Sequence, residues 1–134
     1  MSIDFSSSRQ PTLDEVIELY RASTLGERRP VDQRHVMRGM VDNADITVTA
    51  WNGDRLVGIA RTLTDYTYCA YLADLAVHLD WQRRGIGTEL IEATKRLLEP
   101  TCFMTLLAAP AANDYYPRVG FEHNSRAWIW RPSD

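Results

Sequence analysis

The segment Gln82–Gly87 constrains the fold most, because it joins an apolar run, residues 71–77, to a pattern of helical spacing. A strand, a glycine turn and a helix in that order present free backbone N–H groups at the positive end of the helix dipole. Gly85 and Gly87 allow close backbone approach, and the arginines between Gln82 and Gly85 add positive charge. The pattern therefore predicts a turn that binds a phosphate or a pyrophosphate.

This turn does not match the common phosphate-binding motifs. A dinucleotide fingerprint needs a third glycine where Leu90 stands, and a Walker loop needs Lys and Ser or Thr where Thr88 and Glu89 follow Gly87. The two glycines alone therefore leave an ordinary strand-to-helix turn as the alternative.

Composition predicts a single domain, residues 1–134, of the soluble globular class, with 45% apolar and 25% charged residues. A net charge of −3 argues against nucleic acid or an anionic membrane as partner. Cys69 and Cys102 are predicted to be small core residues, and the three scattered histidines predict no metal site. No targeting or membrane-spanning pattern is seen, so a cytoplasmic location is expected.

Hydrophobic periodicity predicts alternating helices and strands, a mixed α/β (α+β) arrangement. A strand, a helix and a strand around the glycine turn form a right-handed crossover, so those two strands should be parallel. The predicted elements are a helix after a capping box at residues 12–15, a helix around 36–41, a hairpin over 46–64, a strand 69–77, a helix from about 87, a strand 103–108, a short helical segment 111–118 and a last strand 127–130.

A second motif follows about thirty residues after the glycine turn. Its residues are Ala112, Tyr115, Tyr116, Gly120 and Phe121, and those of the first motif are Gln82, Gly85 and Gly87. In both motifs and in their order the chain resembles the GNAT superfamily of acyl-CoA-dependent N-acetyltransferases.

The resemblance implies a GNAT-like fold, in which about four helices flank a mostly antiparallel sheet whose one parallel pair splays apart to hold the cofactor. It implies acetyl-CoA as co-substrate and no metal. In that family an asparagine commonly contacts the pantetheine arm, and Ala109 takes its place here. The implied cofactor-binding residues are Leu75, Ala76 and Val77 beside the pantetheine arm and Gln82, Arg83, Arg84, Gly85, Ile86, Gly87 and Thr88 around the phosphates.

The same resemblance makes Tyr116 the candidate general acid, which would protonate the departing thiolate. The alternative is a core tyrosine whose hydroxyl meets a backbone carbonyl. Asp74, expected on one face of its strand with Leu72 and Ala76, is the candidate base or else a structural or substrate-anchoring carboxylate. Asp65 and Glu122 are weaker candidates for the base.

The resemblance implies that the first two helices and the loop between them, here roughly residues 23–40, form a roof over the acceptor site. Arg28, Arg29 and Tyr66 are the candidate acceptor-binding residues, and arginines there favour an acceptor with a carboxylate or a phosphate. Trp128 and Trp130 are expected in the core, in the acceptor wall or in a homodimer contact. The predicted function is acetyl transfer to a primary amine of a small molecule. The alternatives are a protein N-terminal or lysine acetyltransferase and a non-catalytic acyl-CoA-binding module.

Overall fold

The computed structural model describes residues 2–133, in which a five-stranded sheet is flanked by three α-helices. Short 3₁₀ turns connect several elements, and the turn Thr24–Arg28 follows the first helix. The elements are β1 (Asp4–Ser6), α1 (Leu13–Arg21), α2 (Arg34–Asp42), β2 (Ile46–Asn52), β3 (Arg55–Thr64), β4 (Cys69–Val77), α3 (Ile86–Lys95) and β5 (Phe103–Thr105).

The strands lie in chain order, and neighbours run antiparallel except β4 and β5, which are parallel. The parallel pair follows from the crossover through α3, as the sequence predicted. One apolar cluster packs α1 and α2 against one face of the sheet, and a second packs α3 against the other. The α1 helix begins with the predicted capping box, in which the side chains and backbones of Thr12 and Glu15 bond reciprocally.

A β-bulge interrupts β4 at Ala73. Arg61 of β3 pairs with Asp74 and Thr62 pairs with Leu72, so Ala73 is the extra residue on β4. Bulges bend a strand and increase its twist. Within residues 2–133, β4 and β5 pair only over 69–71 and 103–105. β5 ends at Thr105, opposite Tyr71, so one edge of β4 is free along residues 72–77, on both sides of the bulge.

Because of the bulge, Asp74 does not share a face of the sheet with Leu72, as had been predicted. Strand alternation had placed Asp74 with Leu72 and Ala76, but one extra residue reverses the alternation. Asp74 bonds to Tyr20 of α1 and Ala76 packs in the α1–α2 cluster, whereas Leu72 packs in the α3 cluster. Asp74 and Leu72 thus lie on opposite faces of the sheet.

The structure differs from three further local predictions. Residues 127–130 form no strand, and Trp128 and Trp130 are 93% and 85% exposed. The run of apolar residues there is compatible with a strand, but a strand also needs a partner edge, which the sequence does not reveal. Cys69 is exposed rather than in the core, while Cys102 is half-buried. The segment 111–118 forms short 3₁₀ turns in place of a helix.

Two glycine-to-alanine substitutions test the packing of the turn that follows α1. A Cβ on Gly26 would lie 2.6 Å from the carbonyl oxygen of Tyr20, whereas a Cβ on Gly39 in α2 would meet nothing within 4 Å. We expect Gly26→Ala to lower the free energy of unfolding by roughly 1–3 kcal/mol, as overpacking does. Gly39→Ala should raise it by about 0.5–1 kcal/mol, since alanine is the better helix former. Urea unfolding of both variants measures this, and equal stability of the two would contradict the described packing.

Candidate active site

A cleft of about 640 Å³ lies between β4 and the segment that follows β5. Residues of β4 form one wall, residues 106–112 form the other, and the 3₁₀ turn Thr24–Arg28 contributes to its lining. The glycine turn before α3 also lines it. Of the expected cofactor-binding residues, those lining the cleft are Leu75, Ala76, Val77, Gln82, Arg83, Gly85, Ile86, Gly87 and Thr88. Arg84 is not among the lining residues, and its guanidinium lies 4.8 Å from the centre of the Trp81 ring.

The glycine turn presents free backbone donors, as its sequence predicted. Arg83 and Gly85 adopt left-handed conformations, with φ of 64° and 81°. The first backbone bond of α3 is donated by Glu89 to Gly85, at 3.0 Å. Among the described residues, the N–H groups of residues 83–88 donate to no backbone or side-chain acceptor. This is the arrangement in which a helix N-terminus binds phosphate.

Tyr115 braces this turn from the opposite wall. Its hydroxyl lies 3.0 Å from the hydroxyl of Thr88, and a Cβ on Gly87 would stand 3.1 Å from it. Gly87 therefore permits the close approach of the tyrosine to the start of α3. The Tyr115 ring packs against the α3 cluster, and its hydroxyl reaches the candidate phosphate site.

Tyr116 lines the cleft and is half-buried. Its ring packs edge-to-face against Tyr115 and Phe121, with ring centres 5.2 and 5.6 Å apart. Burial, and secondarily the neighbouring Tyr115, raise the pKa of Tyr116, so its hydroxyl keeps its proton beyond the usual range. In residues 2–133 no protein group hydrogen-bonds that hydroxyl, unlike the core tyrosine of the alternative reading.

Asp74 lies buried behind the β4 wall, and its carboxylate is fully bonded. Arg29 Nε donates to one oxygen at 2.5 Å, and Tyr20 Oη and Arg61 Nε each donate to the other at 2.6 Å. Arg29 also donates through Nη2 to the carbonyl of Ala73, at 2.9 Å. The carboxylate therefore joins α1, β3 and the segment after the Thr24–Arg28 turn at the bulge.

This environment argues against proton transfer by Asp74. Burial raises the pKa of Asp74, but the Arg61 charge and the hydrogen bonds from Tyr20, Arg61 and Arg29 outweigh it, so the pKa is lowered. A carboxylate held ionised by two guanidinium groups is a weak base. The geometry favours the structural alternative for Asp74. It also commits Arg29 to the network, whereas Arg28 lines the cleft with its side chain exposed.

Tyr66 does not lie where acceptor binding would require. It precedes β4, whereas the cleft begins at Leu72, and its hydroxyl donates to the carbonyl of Asp45. It is among the residues of a separate surface depression near α2. The prediction that Tyr66 binds the acceptor does not agree with this position. Because a strand advances about 3.3 Å per residue, the part of β4 that lines the cleft lies well away from Tyr66.

The weaker base candidates also lie outside the cleft. The Asp65 carboxylate accepts N–H groups of Thr67, Tyr68 and Cys69 in the β3–β4 turn, and these bonds help to lower its pKa. Glu122 is exposed and does not line the cleft. Among the described residues, no Asp or Glu lines it.

Sequence reasoning missed two arginines of this region. Arg61 lies in the apolar strand β3 and forms an ion pair with Asp74 of β4. Two opposite charges in neighbouring predicted strands were the sequence feature that could have indicated this pair. Arg118 lines the cleft two residues after Tyr116. No pattern in the sequence indicated that Arg118 would face the cleft.

Family comparison identifies the class of protein. The model of the acetyltransferase (GNAT) domain matches residues 21–128, and the chain belongs to this family. A protein of Prochlorococcus marinus called an uncharacterized N-acetyltransferase ycf52-like is 32% identical over 124 residues, covering 87% of this chain and 67% of that protein. The histone acetyltransferase TAP1 of Glycine max is 31% identical over 59% of this chain, and the match covers 36% of its own length.

Solved structures confirm the fold. A probable acetyltransferase of unknown function from Staphylococcus aureus superposes with a TM-score of 0.82 at 21% identity, covering 98% of this chain and all of that one. An aminoglycoside N-acetyltransferase, AAC(6')-Iy, solved in complex with CoA, superposes with a TM-score of 0.73 at 19% identity, covering 98% and 95%. The predicted GNAT-like fold and acetyltransferase class are confirmed.

No helix within 2–133 is long and apolar enough to span a membrane. In the same part of the chain, no group of three His, Cys, Asp or Glu side chains is placed to hold a metal ion.

Removing the Asp74 charge tests its structural role. Asp74→Asn would leave Arg29 and Arg61 without their counter-charge, and we expect a loss of roughly 3–5 kcal/mol in the free energy of unfolding. Because the pKa of Asp74 is lowered in the folded state, its contribution is fully present above its unfolded pKa, about 3.9. That contribution is lost as the pH falls through the lower folded pKa.

Urea unfolding between pH 7 and pH 2 measures this dependence. The loss of stability below about pH 4 should be shallower in Asp74→Asn than in the wild type. Asp32→Asn is the matched control, because that carboxylate forms an exposed ion pair with Arg21. A wild-type-like stability of Asp74→Asn would contradict the buried network.

Proposed function

We propose that the protein transfers an acetyl group from acetyl-CoA to a primary amine of a small molecule. The observation that carries this proposal is one continuous cleft. It joins a free strand edge, a row of unbonded N–H groups at a helix start and a protonated tyrosine. Family membership supports the class of reaction.

The cleft fits coenzyme A in three respects. The N–H groups of residues 83–88 suit the phosphates, with Arg83 supplying charge. The free edge of β4 can pair with an extended, amide-bearing arm, in the manner of an added strand. Gly87 keeps the backbone open beside Tyr115. Bound there, acetyl-CoA would supply the activated acyl group as its thioester.

Direct transfer forms a carbon–nitrogen bond at the acyl carbon and breaks its bond to sulfur. Backbone N–H groups on the free edge of β4 can stabilise the negative charge that develops on the acyl oxygen. Tyr116 Oη donates its proton to the leaving sulfur, and its raised pKa keeps that proton available. The proton of the amine leaves to water, since no Asp or Glu in residues 2–133 lines the cleft.

A small amine is favoured over the alternatives. The histone acetyltransferase TAP1 supports a protein substrate, but the match covers only 59% of this chain. The structures named as aminoglycoside acetyltransferases match 98% of it, which supports a small acceptor. A cytoplasmic enzyme fits the two free cysteines, and a homodimer fits the exposed Trp128 and Trp130; both stay proposals.

Replacing Tyr116 by phenylalanine tests the acid role. We expect kcat for acetyl transfer to fall about 100-fold, because general acid catalysis contributes that much or more. Coenzyme A binding, measured by calorimetry, should be unchanged. In the wild type the alkaline decline of kcat should begin above the usual range of tyrosine, and it should be absent in Tyr116→Phe.

Tyr68→Phe is the control, because Tyr68 is 67% exposed and lies outside the cleft. Wild-type kcat in Tyr116→Phe would refute the acid role.

A further inference from the structure

The charges that line the cleft are all of one sign. Four arginines line it, and among the described residues no aspartate or glutamate does. The four are Arg28, Arg29, Arg83 and Arg118. This contrasts with the whole chain, whose net charge is −3. Positive charge is therefore concentrated at the cleft.

The nearest carboxylate does not offset this charge. Asp74 is 1% exposed and pairs with both Arg29 and Arg61, so the buried group carries two positive charges against one negative. Its oxygens are occupied by three donors and cannot bind an acceptor ammonium. The network behind the wall thus adds to the positive potential of the cleft rather than reducing it.

The arginines fall into groups with different tasks. Arg83 belongs to the turn proposed to bind the cofactor phosphates, and Arg29 is committed to Asp74 and Ala73. Arg28 ends the 3₁₀ turn Thr24–Arg28, and its exposed side chain has no ion-pair partner within residues 2–133. Its guanidinium is a five-donor group suited to carboxylate or phosphate oxygens.

We infer that the acceptor carries an anionic group, a carboxylate or a phosphate, beside its amine, and that Arg28 binds this group. The inference rests on the proposed acetyl transfer and narrows its substrate class. A bound anion is paired by Arg28, whereas a polycationic acceptor is repelled by the arginines. The same positive charge disfavours the protonated form of the amine, which must be neutral to attack. This supports a cleft that works without a carboxylate base.

Matched acceptor pairs test the inference. Initial rates with acetyl-CoA are measured for glycine against glycinamide and for glucosamine 6-phosphate against glucosamine, with spermidine as the polycation. In at least one pair, the member with the carboxylate or phosphate should exceed the partner that lacks this group about tenfold or more in kcat/KM. The pair that shows this preference distinguishes carboxylate from phosphate. Spermidine should be a poorer substrate than that anionic member. Raising the ionic strength should reduce the preference.

Arg28→Gln assigns the effect to one side chain. This substitution should abolish the preference, because it should raise the KM of the acceptor with the carboxylate or phosphate. The KM of the partner that lacks this group should change little. Arg38→Gln is the matched control, because Arg38 is exposed on α2 and does not line the cleft, yet its loss changes the net charge equally. Arg38→Gln should keep the full preference.

The outcomes separate this inference from the proposed function. The inference is overturned, while acetyl transfer stands, if the enzyme prefers glycinamide, glucosamine or spermidine. It is also overturned if the preference for the carboxylate or phosphate survives in Arg28→Gln. Binding of coenzyme A with no turnover of either anionic amine also overturns it. Failure to bind coenzyme A in calorimetry contradicts the proposed function, and the inference falls with it.

Discussion

One extra residue in β4, Ala73, determines the shape of the active-site region. The bulge lies just beyond the point where β4 ceases to pair with β5, and from there β4 and the segment 106–112 that follows β5 line opposite walls of the cleft. Without it, the parallel pair could continue, and the free edge of β4 would be used by β5. The cleft, the exposed backbone edge and the placement of the glycine turn all depend on that separation.

The carboxylate of Asp74 fixes the bulge in place. Its partners come from α1, from β3 and from the segment that follows the Thr24–Arg28 turn. Arg29 also donates to the carbonyl of Ala73, the extra residue of the bulge. A buried ion pair is weak evidence for net stability, but leaving one partner unpaired is costly, so the arrangement is held together as a unit. The carboxylate that the sequence offered as a candidate base is thus bonded at both oxygens, and its bonds link β4 to α1, to β3 and to the segment after the Thr24–Arg28 turn.

Sequence reasoning succeeded where local physics dominates. Helical periodicity, the capping box and the glycine turn predicted α1, α3 and the free N–H groups, and the two motifs indicated the family. It failed where the outcome depended on a distant partner. The bulge reversed the face of Asp74 relative to Leu72, the segment 127–130 has no strand partner among the described residues, and Tyr66 lies outside the cleft. None of these partners is marked in the local pattern.

The central claim is that main-chain amides, rather than particular side chains, bind coenzyme A. Amide hydrogen exchange, with and without coenzyme A, measures this directly. The account predicts slower exchange at residues 83–88 and along the free β4 edge at 75–77, with little change in α1. Binding of coenzyme A with unchanged exchange at residues 83–88 would contradict it.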